Sequence, residues 1–209
     1  MPSRNDKGEL YFKILYWGPT QGGKTETLEA LYQIMKESQE KGIPVSALTK
    51  IAAPNGLTLF FDRGVIKVGK KTYLQVYTVA GQRRFKPLRK VIYEGADGVV
   101  FVMSNLKRYW PAAQESLLEL KQNVEAHNQL LLEQIPMVIQ INYFERGDPV
   151  FEDEILSFLK ANNLYFDDPT MAKFNPKIYV VHNFDKNELI QPFVDVAERI
   201  LSYWSKIES

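Results

Sequence analysis

The chain has 209 residues, enough for one α/β domain with a sizeable core or for two small ones. Its 26 basic and 25 acidic residues leave a net charge of +1, so nothing in the overall charge points to nucleic acid or an anionic membrane as a partner. It has no cysteine, which excludes disulfides, thiolate zinc sites, cysteine nucleophiles and palmitoylation and fits a reducing, cytoplasmic setting.

Met1 to Glu9 is polar and lacks the apolar stretch of a signal peptide. Pro2 excludes an N-terminal glycine for myristoylation, and Lys206-Ile207-Glu208-Ser209 is not a prenylation box. No apolar run approaches the roughly 20 residues that span a bilayer. Neither a lipid anchor nor a membrane span is expected. Leu10 to Trp17 is aromatic and β-branched and reads as a strand. Lys24 to Lys41 carries Leu28, Leu31, Ile34 and Met35 at helical spacing. Ser46 to Gly56, with Pro54-Asn55-Gly56, reads as a loop. Thr58 to Val68 and Lys71 to Ala80 read as two strands joined at Gly69-Lys70. Asp97 to Ser104 and Pro136 to Asn142 are short, nearly continuous apolar runs, as in strands covered on both faces. Between and after them come helical patterns over Pro111 to Leu132, Glu152 to Asn162 and Glu188 to Trp204, and a strand over Lys177 to Val181. The alternation predicts a single α/β domain over 1–209. Its sheet has six strands, mostly parallel, with one antiparallel edge strand and helices on both faces. Ligands of such sheets sit at the carboxyl ends of the strands.

Gly18-Pro19-Thr20-Gln21-Gly22-Gly23-Lys24-Thr25 fits G-x-x-x-x-G-K-[ST] at every fixed position, after a predicted strand and before a predicted helix. The chemistry follows from that placement. Glycines let the backbone approach phosphate, and successive amides and the helix N-terminus point at negative charge. Lys24 reaches the β- and γ-phosphates of a nucleoside triphosphate, and the Thr25 hydroxyl ligates Mg²⁺. Gly18, Gln21, Gly22, Gly23, Lys24, Thr25 and the adjoining Glu26 form the candidate phosphate site, within a three-layer P-loop NTPase fold.

Four segments carry a family resemblance: Tyr16-Trp17-Gly18-Pro19 with Gly23-Lys24-Thr25, Thr58-Leu59-Phe60-Phe61-Asp62, Tyr77-Thr78-Val79-Ala80-Gly81-Gln82, and Gly95 to Val102. From about Phe12 to Pro136 the chain resembles the mutual gliding protein A group, prokaryotic small GTPases related to Ras and the ADP-ribosylation factors. Small GTPases place D-x-x-G-Q after the third strand. Its Gly amide bonds the γ-phosphate and its Gln orients the attacking water. The resemblance gives these roles to Gly81 and Gln82, with Lys24 acting on the transferred phosphate. Thr78 stands where an Asp is usual, as it does in this group. Thr58 takes the place of the switch I threonine that meets Mg²⁺ and the γ-phosphate. Leu57 precedes it where some relatives carry a catalytic arginine, so intrinsic turnover is expected to be slow. The resemblance implies a GTP/GDP switch in cell polarity or motility, with a roadblock-fold regulator that stimulates hydrolysis and an effector that reads the loops.

The base-recognition motifs depart from the family. N-K-x-D is replaced by Asn142-Tyr143-Phe144-Glu145. Asn142 matches. Tyr143 replaces the lysine whose stem lies over the base and can stack in its stead. Glu145 keeps the charge on an arm about 1.5 Å longer, and Asp148 is a second candidate. After the sixth strand, His182-Asn183-Phe184 replaces a small residue, so His182 is a candidate lining of the base pocket. Guanine binding with reduced selectivity is the expectation. Two other functions compete with the switch: a nucleotide-binding scaffold with little hydrolysis, and a P-loop small-molecule kinase. The kinase would need a lid rich in arginine, and the back half offers only Arg146 and Arg199.

Overall fold

The sheet is built on strand β2 (Leu10–Trp17), whose alternate side chains are buried on opposite faces. The computed structural model describes residues 2–38, 42–51, 61–127, 132–144, 146–168, 170 and 173–208. Around β2 stand β5 (Phe61–Lys67), β6 (Thr72–Thr78), β7 (Gly98–Ser104), β8 (Met137–Tyr143) and β9 (Ile178–His182), in the order β5-β6-β2-β7-β8-β9. Every neighbouring pair is parallel except β5 with β6. These are the six strands read from the sequence, with the hairpin at Gly69-Lys70.

Short antiparallel strands extend this frame. β1 (Ser3–Arg4) pairs with the start of β2. β3 (Ile43–Pro44) and β4 (Thr49–Ile51) pair with β5. The strand at Thr49–Ile51 corrects the loop expected from Ser46 onward. Val65 donates its N–H to the Ser46 hydroxyl at 3.0 Å, and Val45 donates to Val65 O at 3.0 Å. β5 also pairs with Thr49, Lys50 and Ile51 through Arg63, Asp62 and Phe61, and so captures a segment whose β-branched residues the neighbouring turn signal outweighed. Residues 52–60, which include Leu57 and Thr58, lie outside the described residues.

The helices are α1 (Lys24–Ser38), α2 (Lys86–Tyr93), α3 (Trp110–Ala126), α4 (Glu152–Ala161) and α5 (Lys186–Glu208). α1 and α5 cover one face through Leu28, Leu31, Met35, Leu189, Phe193 and Val196 against Phe12, Ile14 and Tyr16. α2, α3 and α4 cover the other, where Tyr93, Leu117, Leu120 and Ile155 meet Leu15, Trp17 and Phe101. The third of these helices ends at Ala126, short of the expected Leu132. Asn123 donates to Glu119 O at 2.8 Å, and the His127 ring bonds Asn123 O at 2.7 Å, side-chain bonds of the kind that compete with helix propagation. α5 starts two residues early because Asp185 Oδ1 accepts from the Asn187 and Glu188 amides at 2.9 and 3.1 Å, a side-chain cap. Trp110 and the half-buried Trp204 pack on the core, at ring distances of 5.4 Å to Phe158 and 6.3 Å to Phe12. Among the described residues, no helix is long and apolar enough to cross a membrane.

Candidate nucleotide site

Four loops meet at the carboxyl ends of β2, β6, β8 and β9. They enclose an open cleft of about 470 Å³ lined by the phosphate loop, the segment after β6 and three phenylalanines, Phe85, Phe144 and Phe184. The loop after β2 folds tightly because Gly18 has φ +145 and sits so close to β7 that a Cβ there would lie 2.0 Å from Val102 O. Only glycine fits. The chain can therefore turn at once from strand to helix and present its amides to the cleft.

Lys24 is the first residue of α1 and is buried at 8% exposure. Its ammonium donates to Gly18 O at 3.0 Å and Pro19 O at 2.5 Å, so it lies curled over the loop it closes. Burial pushes its pKa down to about 8, with the Glu26 charge acting the other way and Arg89 adding to the depression. Thr25 is half-buried, Gln21 and Glu26 are exposed, and all three line the cleft with Gly23. Gly22 is buried beneath the loop, where a Cβ would lie 2.6 Å from Val102 O.

Opposite them is the segment after β6. Thr78 is buried, lines the cleft with Val79 and Ala80, and presents a hydroxyl where a carboxylate is usual. Gly81 lies against the phosphate loop itself: a Cβ there would meet Thr20 N at 2.3 Å and the Pro19 carbonyl carbon at 2.4 Å. Gln82 is exposed at the rim. The segment is anchored from below by Arg89 of α2, which is 5% exposed. Its guanidinium forks onto Glu119 of α3 through two bonds of 2.7 Å, and its Nη1 donates to Ala80 O and Gln82 O at 2.8 Å each. Sequence reading missed this clamp. Its trace is the four-residue spacing of Phe85, Arg89 and Tyr93, which puts a charge on the buried stripe of a short helix.

At the far end, Asn142 is fully buried and its amide is turned inward. Nδ2 donates to Gly22 O at 2.9 Å and Thr27 Oγ1 at 3.2 Å, while Oδ1 accepts from Gln140 at 2.8 Å. Asn142 therefore ties β8 to the phosphate loop. Period-two alternation puts Tyr143 on the opposite face of the sheet, where it pairs with its register neighbour His182 at 5.1 Å between rings. His182 is exposed, and its backbone N–H donates to Glu188 at 2.7 Å. Neither Tyr143 nor His182 lines the cleft; Phe144 and Phe184 do. Glu145 lies outside the described residues, and Asp148 is exposed on the loop beyond. Arg199, one of the two arginines a kinase lid would have needed, is bound to Asp195 at 3.0 Å and Asn175 O at 2.8 Å.

The site thus gathers Gln21, Gly23, Lys24, Thr25, Glu26, Gly81 and Gln82 in one cleft, buttressed by Gly18, Gly22 and Asn142. No protein-family model matches the chain. Among curated proteins, it is 35% identical over 160 residues to the mutual gliding-motility protein MglA of Myxococcus xanthus (strain DK1622), a span covering 75% of this chain and 79% of that protein. With that identity and coverage, and a phosphate loop and sheet of the matching kind, the chain belongs to the MglA-like family of Ras-like, GTP-binding small GTPases.

Proposed function

We propose that this chain is a cytoplasmic molecular switch, one G domain over its whole length. It binds GTP and hydrolyses it slowly to GDP and phosphate with Mg²⁺, and a regulator of the roadblock type accelerates the reaction. The relative in Myxococcus xanthus is by name a gliding-motility protein. We carry that over as a role in cell polarity or motility. The observation that supports the switch reading best is the seating of Gly81 on the backbone of Pro19 and Thr20. A γ-phosphate held by Lys24 would border both loops, so its loss would release one from the other.

In this reading, Gly18, Gln21, Gly22, Gly23, Lys24 and Glu26 form the cradle, and the Gly81 amide faces the terminal phosphate. Gln82 orients the attacking water. Thr25, with Thr58, would hold Mg²⁺. The donor set suits that ion: the cleft offers the neutral hydroxyls of Thr25 and Thr78, and Mg²⁺ takes phosphate and water oxygens for the rest of its octahedron. The ion would supply charge neutralisation to the phosphates. Asn142 acts by bracing the loop, and Glu145 by reading the base edge. Tyr143 and His182 act as a tilted ring pair behind the base end.

Thr78 favours a second reading, a nucleotide-binding scaffold with little hydrolysis, because a hydroxyl replaces the carboxylate usual beside the metal. Single-turnover phosphate release separates the two. Gln82→Leu is expected to lower the rate by about 100-fold. Equal rates for wild type and variant, both at background, would favour the scaffold. Gly81→Ala is expected to lower the hydrolysis rate. The new methyl cannot fit against Thr20 N, the contact opens by about 1 Å, and displacement of that order costs about 10²-fold in rate. Because Pro19 and Thr20 belong to the phosphate loop, GDP affinity measured by titration is expected to fall as well. An unchanged hydrolysis rate would contradict this seating.

A further inference from the structure

Sequence comparison offers polar groups for the nucleotide base, but the described residues provide a different surface at that end of the cleft. Asn142 uses both N–H donors on Gly22 O and Thr27 Oγ1 and its oxygen on Gln140. Tyr143 and His182 face the other side of the sheet. What remains is a pair of aromatic rings, Phe144 and Phe184, with centroids 4.7 Å apart and planes inclined by 31°.

The pair is built into the site. Phe144 shares the parity of Asn142 and so emerges on the side of the phosphate loop. Its ring rests on Gly23: a Cβ there would lie 2.5 Å from the ring's Cζ. Phe184 reaches the same place by an unusual backbone. Asn183 and Phe184 both adopt left-handed φ values, +45 and +56, in the turn between β9 and α5. Two hydrogen bonds fix that turn, Asn183 N to Tyr143 O at 3.1 Å and Asp185 N to His182 O at 2.8 Å. A left-handed phenylalanine is uncommon and persists only where its surroundings hold it there.

We propose that Phe144 and Phe184 form the platform on which the purine base of the bound nucleotide stacks, so that ring stacking contributes much of the base affinity and lowers selectivity between guanine and other purines. The proposal rests on the nucleotide reading above. A base attached to phosphates at Lys24 and Thr25 is tethered to this cleft, and of its three lining phenylalanines Phe144 and Phe184 stand together at the Gly23 end, while Phe85 belongs to the segment after β6. A π-face accepts any purine, whereas a buried acceptor aimed at a base edge rejects the wrong one steeply.

The test uses the full chain with Mg²⁺ and diphosphates of guanosine, inosine, adenosine and the fluorescent base aminopurine, whose emission is quenched by stacking. Binding of the aminopurine diphosphate to wild type is expected to quench it. Phe184→Ala is expected to weaken guanosine diphosphate binding by about 10- to 100-fold and to abolish the quench, while Phe184→Tyr restores both. Phe144→Leu, which keeps apolar volume over Gly23, is expected to behave as Phe184→Ala does. Unquenched aminopurine bound to wild type, or unchanged affinity in both ring-deleted variants, overturns the platform and leaves the phosphate site standing. Failure of wild type to bind any of the diphosphates would instead overturn the nucleotide reading.

Discussion

Lys24→Met is expected to cost between about 30-fold and several thousand-fold in affinity for GTP and GDP, the loss that follows removal of one partner from a buried, hydrogen-bonded charge pair. The ammonium already lies within the cradle, bonded to Gly18 O and Pro19 O. Phosphate contact therefore requires only a small swing of its head. Burial holds its pKa near 8, well under the ordinary lysine value of 10.5. A base depressed on folding is protonated more readily in the unfolded chain. The charged form thus burdens the unliganded fold below about pH 8, and that burden fades as pH rises towards the unfolded value. Phosphate reverses the preference, since the charged form is the one it binds. Nucleotide affinity in wild type should then fall as pH rises past about 8, by up to tenfold per unit, with net proton uptake on binding. Calorimetry at pH 8.5 or so, in two buffers of different ionisation enthalpy, reads that uptake. Its absence would mean that Lys24 is already fully charged in the free protein.

The second large effect concerns Arg89. Replacement by Met would leave the Glu119 carboxylate buried without its partner and take the donor from Ala80 O and Gln82 O. Breaking a buried pair by removing one member costs about 3–5 kcal/mol. That is a large share of the stability of an ordinary domain. Denaturant unfolding should show a midpoint far below that of wild type. The double replacement Arg89→Met with Glu119→Leu should recover much of the loss, because no lone charge is then buried. It should not recover hydrolysis, since the carbonyls around Gly81 lose their anchor in either case. A double variant as unstable as the single one would mean that the cost lies in the freed carbonyls and not in the stranded carboxylate.

The elements were legible where one physical rule dominated. The aromatic and β-branched content of Leu10 to Trp17 and the unbroken apolar runs Gly98 to Met103 and Met137 to Ile139 specify strands. The phosphate loop was legible because its glycines answer to a close backbone approach that no other residue allows, as Gly18 against Val102 illustrates. Thr49–Ile51 was not legible. It is a strand because β5 offers it hydrogen bonds; Thr49 and Ile51 favour that state, but three residues beside Pro54-Asn55-Gly56 are too few to outweigh the turn signal. At the base end, motif alignment ranked residues by position, while geometry sorts them by parity: Asn142 and Phe144 face the cradle and Tyr143 does not. Phe184 could not have been placed from sequence, because its orientation depends on two left-handed residues with no glycine to announce them. Arg89 was within reach, since a charged residue on the inward stripe of a helix demands a partner.

A competition titration of the purified protein with GTP, GDP and ATP in the presence of Mg²⁺ decides whether this is a guanine-nucleotide switch. GTP and GDP are both expected to bind and each to outcompete ATP, by a margin well below the roughly 10⁴- to 10⁵-fold of a site that reads its substrate by buried hydrogen bonds. ATP binding more tightly than GTP would contradict a guanine-nucleotide switch.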